Sequence, residues 1–286
     1  MKPIRLMAGM FLSGVGAAIA AALVWMAPGW LEEYQLKSQR PPEITLAETT
    51  QQTDSPESTP SPEEIEAAQR ARFADLLAEN PDVVGWITID GTRIDYPVLQ
   101  TTDNQFYLRH GLDKRYDNRG LPFADYECDV KNGRHLIIYG HNMGDDESDR
   151  FTNLQEYRDP EYYTTHPTIR LDTLYSSQIY KIVAVFAVTA RTGDADYFAY
   201  NSYINFADDA AEQDYLDQVS QRAFYTTGDY MQADEKILSL STCIYAMQDA
   251  RIVVMARPLR EGESTEADTV NVNPDPLLPA RWPQGA

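Results

Sequence analysis

Cysteine is nearly absent from this 286-residue chain, which carries only Cys128 and Cys243. No Cys-x-x-Cys pair and no His-Glu-x-x-His run occurs, so the common zinc patterns are excluded. The acidic run Gly144-Asp-Asp-Glu-Ser-Asp149 lacks the alternate spacing and distal Glu of an EF-hand and reads as a solvated loop. Glycine-rich phosphate cradles are missing too, and no metal or other cofactor is implied. Basic residues are scarce: 24 Lys and Arg face 44 Asp and Glu, a formal charge of −20. That balance argues against a nucleic-acid partner, whose phosphates demand clustered cations. No internal repeat is present.

One long apolar run is present. Lys2 and Arg5 precede an uncharged stretch from Leu6 to Trp30, followed by Glu32 and Glu33. It exceeds the roughly 20 residues needed to span a bilayer. With residues 1–5 held in the cytoplasm by their charge, the expectation is a single-pass anchor over 6–30 and everything after Trp30 outside the cytoplasmic membrane. An Ala-rich stretch near Ala20 to Ala27 would suit a cleavage site instead; the length favours an uncleaved anchor. Residues 31–60, rich in Pro, Thr, Ser, Gln and Glu, predict a disordered stalk.

Ser61, Pro62 and Glu64 form a capping-box start, and Ile65, Ala68, Phe73, Leu76 and Leu77 a helical stripe that Asn80-Pro81 ends. Arg72 falls at the stripe's edge, with its head expected in water. From Val83 the pattern turns β, with a hairpin around Asp90-Gly91 and strand candidates at 134–140, 168–174, 178–190, 236–242 and 251–257. An amphipathic helix over 206–223 precedes the Cys243 strand, with Phe206, Ala210, Leu216, Val219 and Ala223 on one face. Most of 61–260 is thus one mostly β domain, expected as a closed barrel because many strands must hide their edges. The acidic, Pro-rich tail 261–286 predicts disorder.

Ser239-Leu-Ser-Thr-Cys243 and Arg251 stand at facing ends of two strand candidates. If these pair as antiparallel neighbours, a thiol and a permanent cation share one sheet rim. That arrangement suits acyl transfer through a thioester, with the guanidinium facing an oxyanion. A packed thiol and a surface arginine that merely flank a hairpin fit the segment equally well. A disulfide would consume the thiol, so both cysteines are expected free, with Cys128 structural. Of the four histidines, His141 follows the strand His135-Leu-Ile-Ile-Tyr139, and Gly140 and Gly144 allow an exposed turn there. His135 should lie at the opposite rim, and His110 and His166 sit in polar loops. His141 joins Cys243 and Arg251 only if its strand runs parallel to that of Cys243.

These residues resemble a known family. Leu240-Ser-Thr-Cys243, Arg251 and Tyr139-Gly-His-Asn-Met143 look like the sortases, membrane-anchored transpeptidases of Gram-positive bacteria. Asn80-Pro-Asp-Val-Val-Gly-Trp-Ile87, Tyr96-Pro-Val98, Asp103-Asn-Gln-Phe-Tyr-Leu108 and Phe123-Ala-Asp-Tyr126 are similar to the class B branch. The resemblance implies an eight-stranded barrel, Cys243 as nucleophile toward a Thr carbonyl, His141 as proton carrier and Arg251 as oxyanion partner. It also implies that Asn104, Leu108, Tyr139, Ser241 and Thr242 meet the sorting signal of a surface protein, with Tyr203 and Ile204 on the groove wall. The acceptor is then an amine of a peptidoglycan precursor, or a pilin Lys if the protein polymerises pili. An L,D-transpeptidase is disfavoured because the sequence around Cys243 does not match its motif. A non-enzymatic wall-binding module is disfavoured by the joint presence of Cys243, His141 and Arg251. Ser239 stands where the family often has Thr.

Overall fold

The computed structural model describes residues 33–42, 60–144, 149–228, 230–232 and 234–283. The chain divides into two units, 1–40 and 41–286. Of the first, residues 33–38 are helical, helped by a Glu33–Lys37 pair at 3.1 Å one turn apart. The stalk expected from residue 31 therefore contains a helical segment. The apolar run 6–30 and stalk residues 43–59 lie outside the described residues, among which no helix is long and apolar enough to cross a membrane.

Among the described residues of the second unit ten strands follow one another: β1 (Val83–Thr88), β2 (Asp95–Leu99), β3 (Phe123–Ala124), β4 (His135–Tyr139), β5 (Thr168–Thr173), β6 (Ser177–Thr189), β7 (Ala223–Thr227), β8 (Ile237–Ile244), β9 (Ala250–Pro258) and β10 (Val270–Val272). Eight of them close a ring in the order β6-β5-β1-β2-β3-β4-β8-β9, and β9 returns to β6 through a ladder from Tyr180↔Pro258 to Thr189↔Ala250. This is the closed eight-stranded barrel expected from the sequence. The β2–β3 and β4–β8 pairs are parallel and the other pairs antiparallel. Where β5 leaves the edge of β6, β7 takes its place, and β10 adds outside β7. Trp86, Ile87, Tyr96, Ile137, Leu240 and Val254, on the two faces of this sheet, are each no more than 1% exposed. Burial of such side chains drives closure, at about 1.5–3 kcal/mol each.

Among the described residues of this unit, four α-helices decorate the barrel: α1 (Pro62–Arg72), α2 (Ala74–Glu79), α3 (Pro160–Thr165) and α4 (Asp209–Arg222). The capping box opens α1 as expected, with Ser61 Oγ accepting from the Glu64 amide and Glu64 Oε2 from the Ser61 amide. The stripe behind it is shorter than the sequence implies. The helix breaks at Phe73, so Phe73 and Leu76 are buried while Ile65 stays 39% exposed. Arg72 corrects a second expectation: its head leaves water to pair with Asp172 at 3.3 Å and to donate to Gln69 at 2.6 Å. Asp172 is itself nearly buried on β5, and an uncompensated carboxylate there would be costly.

The tail corrects a third. Residues 261–283 are ordered against the barrel: Val270–Val272 pair with Thr227, Thr226 and Tyr225, and Trp282 is buried. Its acidity looked like solvation because one cationic partner, Lys181, is far away in sequence and the other, Arg257, sits within a strand and reads as a surface residue there.

Candidate active site

Strand register brings the three reactive side chains level. Tyr139 of β4 pairs with Ser241 of β8 in the parallel ladder, and the Gly140 amide donates to the Ser241 carbonyl at 3.2 Å. Two residues further along both strands stand His141 and Cys243. Across the antiparallel β8–β9 ladder, Cys243 is paired with Arg251. Both conditions left open by the sequence, a parallel β4–β8 pair and an antiparallel β8–β9 pair, are thereby met. All three residues are half-exposed, whereas every other residue of β8 is buried. Among the described residues no carboxylate pairs with Arg251; its Nη1 donates to the Ala250 carbonyl at 3.3 Å.

Local contacts hold this rim together. The Asn142 side chain donates to the Cys243 carbonyl at 3.0 Å and to Gln155 at 3.2 Å, and Tyr245 donates to the Asn142 carbonyl at 2.8 Å. Gly140 is required by space. A Cβ there would lie 2.6 Å from the ring of Phe151, which is fully buried. His141 Nε2 sits 2.8 Å from the Leu108 carbonyl. A carbonyl only accepts, so the proton resides on Nε2 and Nδ1 is left to exchange protons. That carbonyl is backed by Gly120, where φ is +55° and a Cβ would approach Leu108 C and O to 2.8 Å. Buried Arg150 in turn donates to the Gly120 carbonyl at 2.7 Å. Sequence reasoning missed Asn142, Gly120 and Arg150; an Asn directly after the candidate His was the one signal available.

The residues implied for substrate contact divide. Asn104 and Tyr139 converge on Asp125, itself 2% exposed: Asn104 Nδ2 donates at 2.9 Å and the Tyr139 hydroxyl at 2.8 Å. Burial also raises the Tyr139 phenol well above its ordinary range. Leu108 is half-buried and contributes its carbonyl to His141. Ser241 is buried, its hydroxyl 2.7 Å from that of Tyr200. Thr242 is a strut, donating to the Gly140 carbonyl at 2.7 Å. Its hydroxyl is thus committed inside the protein, unlike the substrate contact the resemblance implies. Tyr203 packs with Phe198, Phe206 and Tyr215, and Ile204 is buried beside it, both on the connection from β6 to α4. Tyr200 of the same connection has its phenol pushed up to about 12 by burial, with Ser241 and the Arg251 charge opposing.

The remaining histidines are structural. His135 is fully buried, with Nδ1 2.8 Å from the Tyr203 carbonyl and Nε2 2.8 Å from Ser239 Oγ. Nδ1 therefore donates, Nε2 accepts, and burial lowers the imidazole to about 4. His110 stacks on Phe106 and His166 on Tyr162. Both cysteines are free, as expected, and burial pushes the Cys128 thiol up to about 12.

Known proteins resemble this chain in sequence and fold. The Sortase domain model matches residues 87–259. Sortase B of Listeria monocytogenes is 34% identical over 175 residues, 61% of this chain and 68% of that protein. Sortase B of Staphylococcus aureus is 30% identical over 196 residues, 67% of this chain and 76% of that one. This chain belongs to the class B sortases. Solved structures agree. Clostridium perfringens sortase B superposes with a TM-score of 0.59 at 27% identity, covering 65% of this chain and 99% of that one. A Staphylococcus aureus sortase B–substrate complex gives 0.60 at 28%, covering 68% and 87%. Sortase membership makes the chain a cysteine transpeptidase acting on peptides.

Proposed function

We propose that this sortase cleaves a C-terminal sorting signal after Thr and transfers the acyl group to an amine of a peptidoglycan precursor. The observation that carries this reading is the shared level of His141, Cys243 and Arg251 on three neighbouring strands. The Cys243 sulfur attacks the Thr carbonyl carbon as its proton passes to His141 Nδ1, and the tetrahedral oxyanion faces the Arg251 guanidinium. The C–N bond breaks, and the departing amine takes a proton from His141 Nδ1. A thioester remains, retaining the energy of the peptide bond. The acceptor amine then attacks that thioester, gives its proton to His141 and expels the Cys243 thiolate. Water in place of the amine gives hydrolysis as a side reaction. Two relatives support a peptide donor and an amine acceptor, a sortase B with substrate and a sortase B complexed with triglycine.

Asn104, Leu108 and Tyr139 line the donor side in this reading, Tyr203 and Ile204 form its wall, and buried Ser241 and Thr242 support it through Tyr200 and the Gly140 carbonyl. Asn104 and Tyr139 act from orientations set by Asp125. The run Leu6–Trp30 anchors the domain outside the cytoplasmic membrane, a proposal that rests on its length and flanking charges alone. The test is turnover of an Asn-Pro-x-Thr peptide by Arg251→Lys. A lost oxyanion donor should lower kcat by about 10²–10³, or roughly 2.7–4 kcal/mol. Near-normal turnover would remove Arg251 from the reaction.

A further inference from the structure

The sortase match ends at residue 259, yet the described chain runs on to 283 along an ordered path. That path begins at two buried cations. Lys181 and Arg257, each 1% exposed, face one another across the β6–β9 ladder. Like charges so placed repel, and each has been taken out of water. The tail supplies their counter-charges. Glu263 accepts from Arg257 through both oxygens, at 2.8 and 2.6 Å, and Asp268 forms an ion pair with Lys181 at 2.7 Å. Next, β10 covers the edge of β7, and the Leu277 amide donates to the Gln221 carbonyl at the end of α4.

The path ends beside the active rim. Trp282 is buried against Phe224, under the Arg158 guanidinium. The Ala280 amide donates to Asp196 at 2.5 Å, and Arg281 pairs with Asp194 at 3.0 Å. The Asp194 oxygen that meets Arg281 also accepts from Thr189, the last residue of β6, at 2.7 Å. One residue on, the Ala190 amide donates to the Asp249 carbonyl at 2.7 Å, and Arg191 donates to the Asp249 carboxylate at 2.6 Å. Asp249 lies in the turn between Cys243 and Arg251 and holds a left-handed φ of 60°. The segment braced from one side by the tail and from the other by Asp249 leads directly into Tyr200, Tyr203 and Ile204.

We propose that residues 261–283 are a strap that positions the groove wall and the Cys243–Arg251 turn, with Arg281 and Trp282 as its positioning residues. Glu263 and Asp268 seat the strap on the barrel. Arg281, acting through Asp194, holds the connection from β6 to α4 in the conformation that receives a peptide, and Trp282, packed on Phe224 of β7, fixes the end of the strap that presents Arg281. The effect on peptide turnover rests on the function proposed above; the effect on backbone mobility does not.

The test uses the full chain and its Arg281→Ala/Trp282→Ala double variant, with amide hydrogen exchange and peptide kinetics measured on both. The expected result is faster exchange across 189–204 and 245–249 and a KM for the sorting peptide raised about tenfold, equivalent to about 1.4 kcal/mol, with kcat within about twofold. Restoring the cation as Arg281→Lys in the single variant should keep KM near the wild-type value. Faster exchange confined to 275–283, or a KM that does not move, overturns the strap. If the double variant fails to fold, Asp194→Asn carries the same two readouts. A wild-type chain that exchanges as expected but turns over no sorting peptide leaves the strap standing and refutes the proposed function instead.

Discussion

Adding one methyl group at Gly140 should damage both the fold and the chemistry. In Gly140→Ala the new Cβ would sit 2.6, 2.7 and 3.1 Å from Cγ, Cδ2 and Cδ1 of Phe151, well inside contact distance. The ring is fully buried and cannot swing into solvent. Nor can its backbone retreat alone, since the Phe151 amide donates to the His141 carbonyl at 2.9 Å. Relief must come from moving either the ring or the β4 end, and the second route moves His141. Overpacking of a close-packed core costs about 1–3 kcal/mol, to be read as a shift in urea midpoint at constant slope. A displacement of His141 by about 1 Å would lower kcat/KM by about 10²-fold. The loss in turnover should therefore exceed what the unfolded fraction explains, as measured on protein held well below its unfolding transition. Wild-type stability together with wild-type turnover would refute the claim that this glycine sets the position of His141.

Further outcomes follow from the same contacts. Burial holds His135 neutral down to about pH 4, whereas its ordinary value is 6.5. The unfolded chain therefore binds the proton first, and stability should fall as pH drops from 6.5 toward 4, by about 3 kcal/mol. A flat urea-unfolding profile over that window would contradict it. Glu263 acts lower on the scale. Its bonds to Arg257 hold it at about 2, so its contribution is complete above its unfolded value of 4.5 and disappears as pH falls toward 2. Glu263→Gln should flatten that lower window and leave the upper one unchanged. Asn142→Ala strips the Cys243 carbonyl of a buried donor and should cost about 1–3 kcal/mol in urea unfolding. An unchanged midpoint in that variant would show that the β4–β8 rim is held by other contacts.

Much of the barrel was legible because its long strands announce themselves. The segments 168–174, 178–190, 236–242 and 251–257 are apolar, β-branched and bounded by turns, and the structure places β5, β6, β8 and β9 on them within a few residues. Short strands carried no such signal. Phe123–Ala124 and Val270–Val272 are strands only because Tyr139 and Thr227 lie opposite them. The candidate triad was legible through residue type and motif, but its meeting depended on strand direction, which no local pattern encodes. The contacts that hold it were the least legible. Gly120 matters because of Leu108 and Arg150, Asp125 because of Asn104 and Tyr139, and the acidic tail because of Lys181 and Arg257. In each case the partner lies on another strand or loop, so the residue looks ordinary until the chain is folded.

The central claim is that Cys243 carries the acyl group. Intact-mass measurement of the full chain after brief incubation with an Asn-Pro-x-Thr peptide tests it most directly. The expected result is an added mass equal to the peptide fragment ending in Thr, mapped to Cys243 and discharged by an added amine. No adduct on the native chain, or the same adduct and cleavage in Cys243→Ala, would contradict it.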